Sequence, residues 1–246
     1  MTMTIKNQKV DFPISILMPV FNEVDIIEEV IEEWVKDVFH FLPDGSEILI
    51  DEAASTDGTR EILTRMCEKY PFIRVTYNET RDGFAAAARR LYSSAKCPWL
   101  VFTDSDGQYI ASEFWKLAKY ITRYDIIHGA KLARQDPFFR RLFSLLFNKW
   151  AVFLFQERYL DINSAFRLMK TEVVKELLPQ LRIMPSLLNT ELLLRCEFAN
   201  YEIKQVYIMH RSRKHGSSRG LPTIRYFFEG FKAFLGLLQI KESYRK

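Results

Sequence analysis

Two aspartates separated by one residue, Asp104 and Asp106, have the residue type and spacing to bind a metal ion. They follow the apolar run 99–102, which indicates a buried strand, and open α/β sheets hold their ligands at the carboxyl ends of strands. Carboxylates placed there can share one Mg2+ or Mn2+ that keeps open positions for substrate phosphates. The simpler alternative is a solvated surface turn, where the Asp-x-Asp pattern is also common.

The elements that must position these acids alternate between strands and helices through the first half of the chain. The predicted strands are 14–20, 47–50, 73–77 and 99–103, and the helices that follow them are 24–38, 57–67, 83–95 and 112–121. Such βα units predict a mostly parallel sheet covered by helices. The pattern then loosens, with predicted strands at 126–129, 165–169 and 202–208 and predicted helices at 137–156 and 186–199.

Composition narrows the possible classes of protein. With 246 residues, 48% of them hydrophobic, the chain can form one large α/β domain. Its net charge is +4, and the basic residues clustered in 210–246 indicate a local anionic partner, with no nucleic acid expected. Three cysteines without metal-ligand spacing suit a reducing cytoplasm. Without a signal-peptide pattern or a long apolar run, the chain is not expected to span a membrane.

Short motifs occur at the predicted strand ends in a specific order. They are PVFNE at 19–23, STDGT at 55–59, Gly83 with Ala87 and Arg89, DSDGQ at 104–108, GAKLAR at 129–134, DINSAFR at 161–167, TE at 190–191 and a basic loop at 210–219. Over roughly residues 13–220 these motifs resemble the inverting family 2 glycosyltransferases of GT-A fold, most closely the dolichol- or polyprenyl-phosphate sugar synthases. The resemblance implies a Rossmann-like α/β fold with a mostly parallel sheet.

For the donor half, the resemblance implies binding of a GDP- or UDP-sugar together with Mg2+ or Mn2+. The expected nucleotide-sugar contacts are Pro19, Phe21, Glu23, Glu52, Gly83, Arg89 and Asp104, and the expected metal ligands are Asp104, Asp106 and Gln108. Glu23 would accept hydrogen bonds from ribose hydroxyls, although an acid at a helix start is favoured by the helix dipole as well. Arg89 would reach the phosphates, or would be a solvated helix residue. Asp57 is expected to be mainly structural, as a helix cap.

The chain departs from the family pattern where the second strand ends. Glu52 and Ala53 occupy positions that are usually two adjacent aspartates contacting the nucleobase and ribose. Glutamate is longer by one methylene, and an alanine side chain cannot accept a hydrogen bond. The departure is compatible with an altered nucleotide preference or with a weaker donor site.

The second half is expected to bind the acceptor. The expected acceptor-phosphate ligands are Arg134, Arg167 and Ser217, and the expected catalytic residues are Asp106, Glu191, Arg134 and Arg213. Guanidinium groups bind phosphate oxygens in a bidentate way, and the loop with Arg211, Arg213, His215 and Ser217 resembles one that closes over the donor diphosphate. A hydroxyl acceptor would need a general base, Glu191 or Asp161, whereas a polyprenyl phosphate is already ionised. Glu191 could equally be a structural acid.

Two segments, 137–160 and 224–240, interleave apolar and basic residues in the manner of interfacial amphipathic helices. Packing against the protein core is the simpler alternative for the first segment. We expect a GT-A domain at 1–220, with a nucleotide-sugar half at about 13–130 and an acceptor half at about 131–220. A basic amphipathic helix is expected at 221–246. The expected location is cytoplasmic and peripheral, on the inner face of a membrane.

Taken together, these features predict metal-dependent inverting transfer of a sugar to a dolichyl or undecaprenyl phosphate at the membrane surface, in the synthesis of cell-envelope glycans. One alternative is a glycosyltransferase acting on a hydroxyl of a surface polysaccharide or lipopolysaccharide. A second alternative, suggested by Glu52 and Ala53, is a catalytically silent sugar-nucleotide-binding protein. The retained Asp104, Asp106 and Arg213 argue against the silent protein.

Overall fold

The computed structural model describes residues 9–132, 138–212 and 223–244, and for residues 138–144 and 223–230 it describes the backbone alone. Within these residues the strands β1 to β7 are Ile14–Val20, Glu47–Glu52, Ile73–Tyr77, Trp99–Phe102, Ile126–Lys131, Arg167–Lys170 and Ile203–Ile208. The helices α1 to α8 are Ile27–Asp37, Thr59–Lys69, Phe84–Ser94, Phe114–Ala118, Phe138–Phe155, Thr171–Leu177, Leu188–Phe198 and Thr223–Ser243. Short 3-10 turns are Phe39–Phe41, Ala111–Glu113, Leu178–Gln180 and Pro185–Leu187.

The strands form one seven-stranded sheet in the order β3-β2-β1-β4-β6-β5-β7. Strands β1 to β4 pair in parallel, and β5 pairs in parallel with β7. Strand β6 is antiparallel to both of its neighbours, β4 and β5. The predicted mostly parallel α/β sheet flanked by helices is therefore confirmed, with β6 as its antiparallel member.

The central strands are apolar because helices cover both faces of the sheet. Nearly every residue of β1 is buried, and all of β2 and β4 is buried, as expected for parallel strands inside an α/β fold. Helix α1 contributes apolar residues at helical spacing, and Trp34 from this helix lies with its ring centre 5.9 Å from that of Phe166. The apolar side of α1 therefore packs against the rest of the core.

The predicted elements differ from the structure at two places. The predicted helix 112–121 is divided into the 3-10 turn Ala111–Glu113 and the short helix α4. Helix α6 was not predicted, because it begins directly after β6 without an intervening turn signal. Its buried residues Val173, Val174 and Leu177 are too few to give a clear helical period.

The amphipathic helices predicted in the C-terminal half are α5 and α8, which pack against each other. Phe234 contacts α5, with ring-centre distances of 5.7 Å to Phe147 and 6.2 Å to Trp150. Away from this contact, the pair exposes large apolar side chains of Leu145, Leu146, Phe153, Phe231, Leu235 and Leu238. Within the described ranges, no helix has both the length and the apolar character needed to cross a bilayer.

Candidate functional site

A cleft of about 220 Å³ opens at the carboxyl edge shared by β1, β2 and β4. Its lining residues are Pro19, Val20, Phe21, Glu23, Ala53, Arg81, Gly83, Phe84, Ala87, Asp104, Ser105 and Asp106. Six residues expected to bind the donor or the metal therefore lie together in the cleft: Pro19, Phe21, Glu23, Gly83, Asp104 and Asp106. This position agrees with the general location of ligand sites in open α/β sheets.

The metal turn, residues 104–108, brings two carboxylates to the cleft. Asp104 and Asp106 are partly exposed on either side of the buried Ser105, and Asp106 Oδ1 accepts a hydrogen bond of 3.0 Å from the Gln108 amide. Gly107 completes the turn at φ +70°, and a Cβ there would lie 3.2 Å from a side-chain carbon of Ile26. The turn is therefore tightly held against helix α1.

The donor set suits a metal ion shared with a substrate. In the part of the chain that the structure describes, no group of three or more His, Cys, Asp or Glu residues forms a protein-only metal cage. Two carboxylates supply hard oxygen donors, and Mg2+ typically takes one or two carboxylates and fills its other positions with water and substrate phosphates. Asp104 and Asp106 therefore fit such an ion.

The two loops beside the cleft are tied together by side chains of the PVFNE and STDGT motifs. The Asn22 amide donates to Ser55 Oγ at 2.8 Å, and Asn22 Oδ1 accepts from the Thr56 amide at 2.8 Å. Burial acts to raise the pKa of Asp57, but hydrogen bonds from Thr59 and the backbone hold this pKa below its usual range. The STDGT motif thus has a structural role, and α2 begins at Thr59 after Gly58.

Glu52 does not line the cleft, contrary to the expected nucleotide contact. Its side chain is fully buried, where Oε2 accepts from Arg60 Nε at 2.6 Å and Oε1 accepts from the Ser55 amide at 2.5 Å. Asp51 is buried too, and Arg90 and Asn78 donate hydrogen bonds to its carboxylate. Asp51 and Glu52 therefore both act in internal ion pairs, so that Ala53 is the residue after this strand that meets the cleft.

The arginine that lines the cleft is Arg81 and not the expected Arg89. Arg89 Nη1 donates to the Leu178 carbonyl at 3.0 Å and does not line the cleft, so the expected phosphate contact from Arg89 is not supported. Arg81 lines the cleft, and its guanidinium carbon lies 3.9 Å from the centre of the Phe21 ring. The sequence signal for Arg81 is a cation between the end of β3 and Gly83.

Gln108 also lies outside the cleft lining. Its side-chain nitrogen donates to the Arg211 carbonyl at 3.3 Å, which connects the metal turn to the segment after β7. This hydrogen bond uses Nε2, whereas a metal would be bound by Oε1, so the expected metal contact from Gln108 stays a prediction. Arg134, Arg213 and Ser217 lie outside the described residues, and their expected roles stay predictions.

Comparison with known proteins identifies the chain by its family. The model of the family described as "Glycosyl transferase family 2" matches residues 15–178, which include the whole cleft. The chain belongs to this family. The resemblance to family 2 glycosyltransferases is thus confirmed over these residues.

Two relatives and one solved structure share 20–26% sequence identity with this chain. It is 24% identical over 202 residues to glycosyltransferase AglD of Haloferax volcanii, covering 78% of this chain and 32% of AglD. It is 26% identical over 213 residues to an undecaprenyl-phosphate 4-deoxy-4-formamido-L-arabinose transferase of Pectobacterium carotovorum, covering 84% of this chain and 62% of the relative. A Mycobacterium tuberculosis glucosyl-3-phosphoglycerate synthase, in complex with Mn2+, UDP and phosphoglyceric acid, matches with a TM-score of 0.72 at 20% identity over 96% of this chain and 81% of its own. That likeness shows the fold.

Arg167 of the glycosyltransferase is a buried structural residue, contrary to the expected acceptor-phosphate contact. Its guanidinium is fully buried, where Nε donates to His128 Nδ1 at 3.0 Å and Nη2 donates to the Ile162 carbonyl at 2.9 Å. Nη1 donates to the Asn189 carbonyl. These contacts use the guanidinium inside the protein and leave it no access to a bound phosphate.

His128, the partner of Arg167, is held in its neutral form. Burial, followed by the positive charge of Arg167, lowers the pKa of His128 well below 6.5. Since Nδ1 accepts from Arg167, Nε2 carries the proton and donates to the Asp161 carbonyl at 2.7 Å. The fully buried ring therefore connects β5 to the segment before β6.

Lowering the pH from 7 to 5 should therefore reduce the free energy of unfolding, by at most about 1.4 kcal/mol per pH unit from this group. Unfolded His128 takes up a proton as the pH falls through its usual pKa, whereas folded His128 does not, so that acid favours the unfolded chain. Urea unfolding at several pH values measures this slope. A His128→Gln variant, which keeps one donor and one acceptor, should show a shallower slope, and an unchanged slope would contradict the assignment.

Glu191 is likewise engaged inside the glycosyltransferase, and the structure does not support its expected role as a general base. The side chain is buried, and Oε1 accepts from both Nε and Nη2 of Arg195 at 3.0 and 2.9 Å. The backbone amides of Ile183 and Met184 donate to Oε2 at 2.9 and 2.7 Å. Glu191 thus holds the loop before α7 in place, as the structural alternative proposed.

Replacing Glu191 with glutamine should lower the free energy of unfolding by about 2 kcal/mol, because hydrogen bonds to a charged group are lost. Turnover per folded molecule should be retained. Urea unfolding and a transfer assay measure the two quantities, with Glu176→Gln as the control because that exposed carboxylate accepts from Tyr201. Unchanged stability combined with lost turnover would restore the general-base role.

Proposed function

We propose that this family 2 glycosyltransferase transfers a sugar, with inversion, from a nucleoside diphosphate sugar to a polyprenyl phosphate on the cytoplasmic face of a membrane. The observation that carries the proposal is the cleft in which Asp104 and Asp106 lie near Phe21 and Arg81. Acidic ligands for a metal, an aromatic ring and a cation together match the parts of a nucleotide diphosphate.

The donor would bind with its base near Phe21 and Arg81 and its diphosphate at the metal turn. Glu23 lies in the cleft past the end of β1, where its carboxylate can accept from ribose hydroxyls. Gly83, at φ +95° and with no atom near a Cβ built on it, leaves room for close approach of the ligand. The UDP complex of the structural neighbour supports this type of donor.

Asp104 and Asp106 would hold Mg2+ or Mn2+, which when bound supplies positive charge that stabilises the leaving diphosphate. Arg81 adds a permanent positive charge to the same cleft. The acceptor oxygen would attack the anomeric carbon from the opposite face, which gives inversion. The Mn2+ in the neighbouring structure supports a divalent ion for this fold.

Two candidate bases were expected, and the engaged state of Glu191 together with the burial of Asp161 outside the cleft lining favours a phosphate acceptor over a hydroxyl. A hydroxyl needs a base, but a phosphate monoester is already ionised near neutral pH and can attack without one. The Pectobacterium relative is named for undecaprenyl phosphate, which supports the same class of acceptor. The proposed phosphate acceptor is therefore supported both by the contacts of Glu191 and by the Pectobacterium relative.

The exposed side of α5 and α8 would face the membrane. Phe153 and Phe231 are 70% and 65% exposed, unusually high values for large apolar side chains. An open cavity of about 390 Å³ is lined by residues 183–187 and, from α8, by Lys232, Ala233, Leu235 and Gln239. An apolar surface of this kind suits the hydrocarbon region of a lipid acceptor.

The proposal is tested with purified protein, Mn2+ or Mg2+, a panel of UDP- and GDP-sugars and a short-chain polyprenyl phosphate. Metal-dependent formation of a polyprenyl-phosphate sugar is expected, with the anomeric configuration inverted relative to the donor. NMR of the product determines that configuration. Turnover with glycan hydroxyls alone would overturn the lipid acceptor. Binding of the donor without turnover on any acceptor would favour a silent binding protein.

Vesicle flotation tests the membrane-facing surface separately. Phe153→Ser and Phe231→Ser should weaken binding to vesicles that contain anionic phospholipid. Phe41→Ser is the matched control, because Phe41 is 60% exposed but lies outside α5 and α8. Equal effects of all three substitutions would contradict a membrane role for these helices.

A further inference from the structure

We propose that Glu33 and Arg211 are positioning residues that hold the metal turn in its metal-binding conformation. The inference rests on the proposed function, because it takes Asp104 and Asp106 as the metal ligands. The resemblance to known enzymes had instead placed Arg211 in a loop that closes over the diphosphate. In the structure, the guanidinium of Arg211 contacts the protein itself.

Arg211 contacts the metal turn through both its backbone and its side chain. Its amide donates to the Gln108 carbonyl at 3.0 Å, and the Gln108 side chain returns a hydrogen bond of 3.3 Å to the Arg211 carbonyl. Arg211 Nε also donates to the Gly107 carbonyl. The last two residues of the turn are therefore held by one residue more than a hundred positions later in the chain.

Glu33 links Arg211 to helix α1 and to the far end of the same loop. One carboxylate oxygen accepts from Arg211 Nη2, and the other accepts from the Ala111 amide at 3.0 Å. The ion pair is largely sheltered, with side-chain exposures of 17% for Glu33 and 29% for Arg211. Because α1 is packed against the sheet, Glu33 provides a fixed point for residues 107–111.

Neighbouring contacts extend this link along the segment after β7. The Met209 amide donates to Glu113 Oε2 at 2.8 Å, and His210 pairs with Tyr109 as an isolated antiparallel bridge. The rings of Tyr109 and His210 meet edge to face with centres 5.1 Å apart. Residues 209–211 thus lie alongside residues 107–113 and contact them by hydrogen bonds.

The connection reaches a metal ligand in one further step. The Gln108 amide donates to Asp106 Oδ1, so the residue that Arg211 holds also orients the Asp106 carboxylate. A site with two protein carboxylates depends strongly on where each one points. Removing a group that orients a metal ligand typically lowers the metal affinity by about 10- to 100-fold.

The test measures Mn2+ affinity by electron paramagnetic resonance, with and without saturating UDP or GDP, in the wild type, Glu33→Gln, Arg211→Met and Arg211→Lys. Glu33→Gln and Arg211→Met should weaken Mn2+ binding by about tenfold or more. Arg211→Lys should show a smaller loss, because a lysine keeps the charge opposite Glu33 but cannot also donate to the Gly107 carbonyl as Arg211 Nε does.

The matched control is Asp125→Asn. Asp125 also pairs with a cation, Lys170, and accepts from a backbone amide, that of Glu202, at 2.9 Å. Its exposure of 20% is close to that of Glu33, but it lies outside the cleft lining. Both carboxylate variants should lose similar thermal stability, whereas Mn2+ affinity should fall in Glu33→Gln alone.

Hydrogen exchange of the metal-free protein gives a second readout. Amides of residues 106–111 should exchange faster in Glu33→Gln than in the wild type or Asp125→Asn. A folded Glu33→Gln protein with wild-type Mn2+ affinity would overturn the inference and leave the proposed function standing. Absence of Mn2+ binding by the wild type would overturn the metal site, and the inference with it.

Discussion

Replacing Asp106 with asparagine should lower the rate of sugar transfer by about three orders of magnitude. The substitution keeps the size of the side chain but removes the charge that would hold the cation facing the leaving diphosphate. Because Asp106 is partly exposed in the cleft, the free energy of unfolding should change little. Transfer from a labelled nucleotide-sugar measures the rate, and urea unfolding measures the stability.

Asp82→Asn is the control for this substitution. Asp82 is an exposed aspartate next to Gly83 of the cleft, but its carboxylate pairs with Arg90. Its loss should leave transfer near the wild-type rate. Equal activity of the Asp106→Asn and Asp82→Asn proteins would contradict the proposed role of Asp106 as a metal ligand.

Replacing Arg167 with methionine should lower the free energy of unfolding strongly, whereas Asp106→Asn should lower mainly the rate of transfer. The substitution leaves His128 Nδ1 and the carbonyls of Ile162 and Asn189 without their donor inside the protein. Removing one member of such a buried polar network typically costs about 3–5 kcal/mol. For a chain of this size, the melting temperature should fall by about 10 °C.

The same variant distinguishes a structural Arg167 from one that binds the acceptor. If Arg167 bound the acceptor phosphate, the KM for that acceptor would rise while the melting temperature stayed constant. We expect instead that the fraction of folded protein falls and that the folded remainder keeps its acceptor KM. Arg182→Met is a suitable control, because Arg182 is an exposed arginine that contacts the Pro179 carbonyl.

The sequence predicted the parallel part of the fold well, for a physical reason. Strands β1 to β4 are short apolar runs bounded by turn residues, and each is followed by a segment of helical period. Strand β6 could be located, but its antiparallel place between β4 and β5 could not be predicted. Strand order depends on how distant segments cross, which local pattern does not encode.

Site residues were predicted best where a side chain follows a strand directly. Asp104, Asp106 and Glu23 reach the cleft because the carboxyl ends of parallel strands meet at one edge. Glu52, Arg167 and Glu191 were expected to bind ligands or act in catalysis because they stand at positions of the family's motifs. Their partners, such as Arg60 for Glu52, come from elsewhere in the chain and keep each of them inside the protein.

The contact between Arg211 and the metal turn also constrains the order of events during synthesis on the ribosome. Glu33 and Arg211 are separated by 178 positions, and Gln108 and Arg211 by 103. Strands β1 to β4 leave the ribosome well before residue 211. The turn at 104–108 reaches its final contacts only after residue 211 has left the exit tunnel, so the metal site is completed late in synthesis although both of its aspartates are made in the first half of the chain.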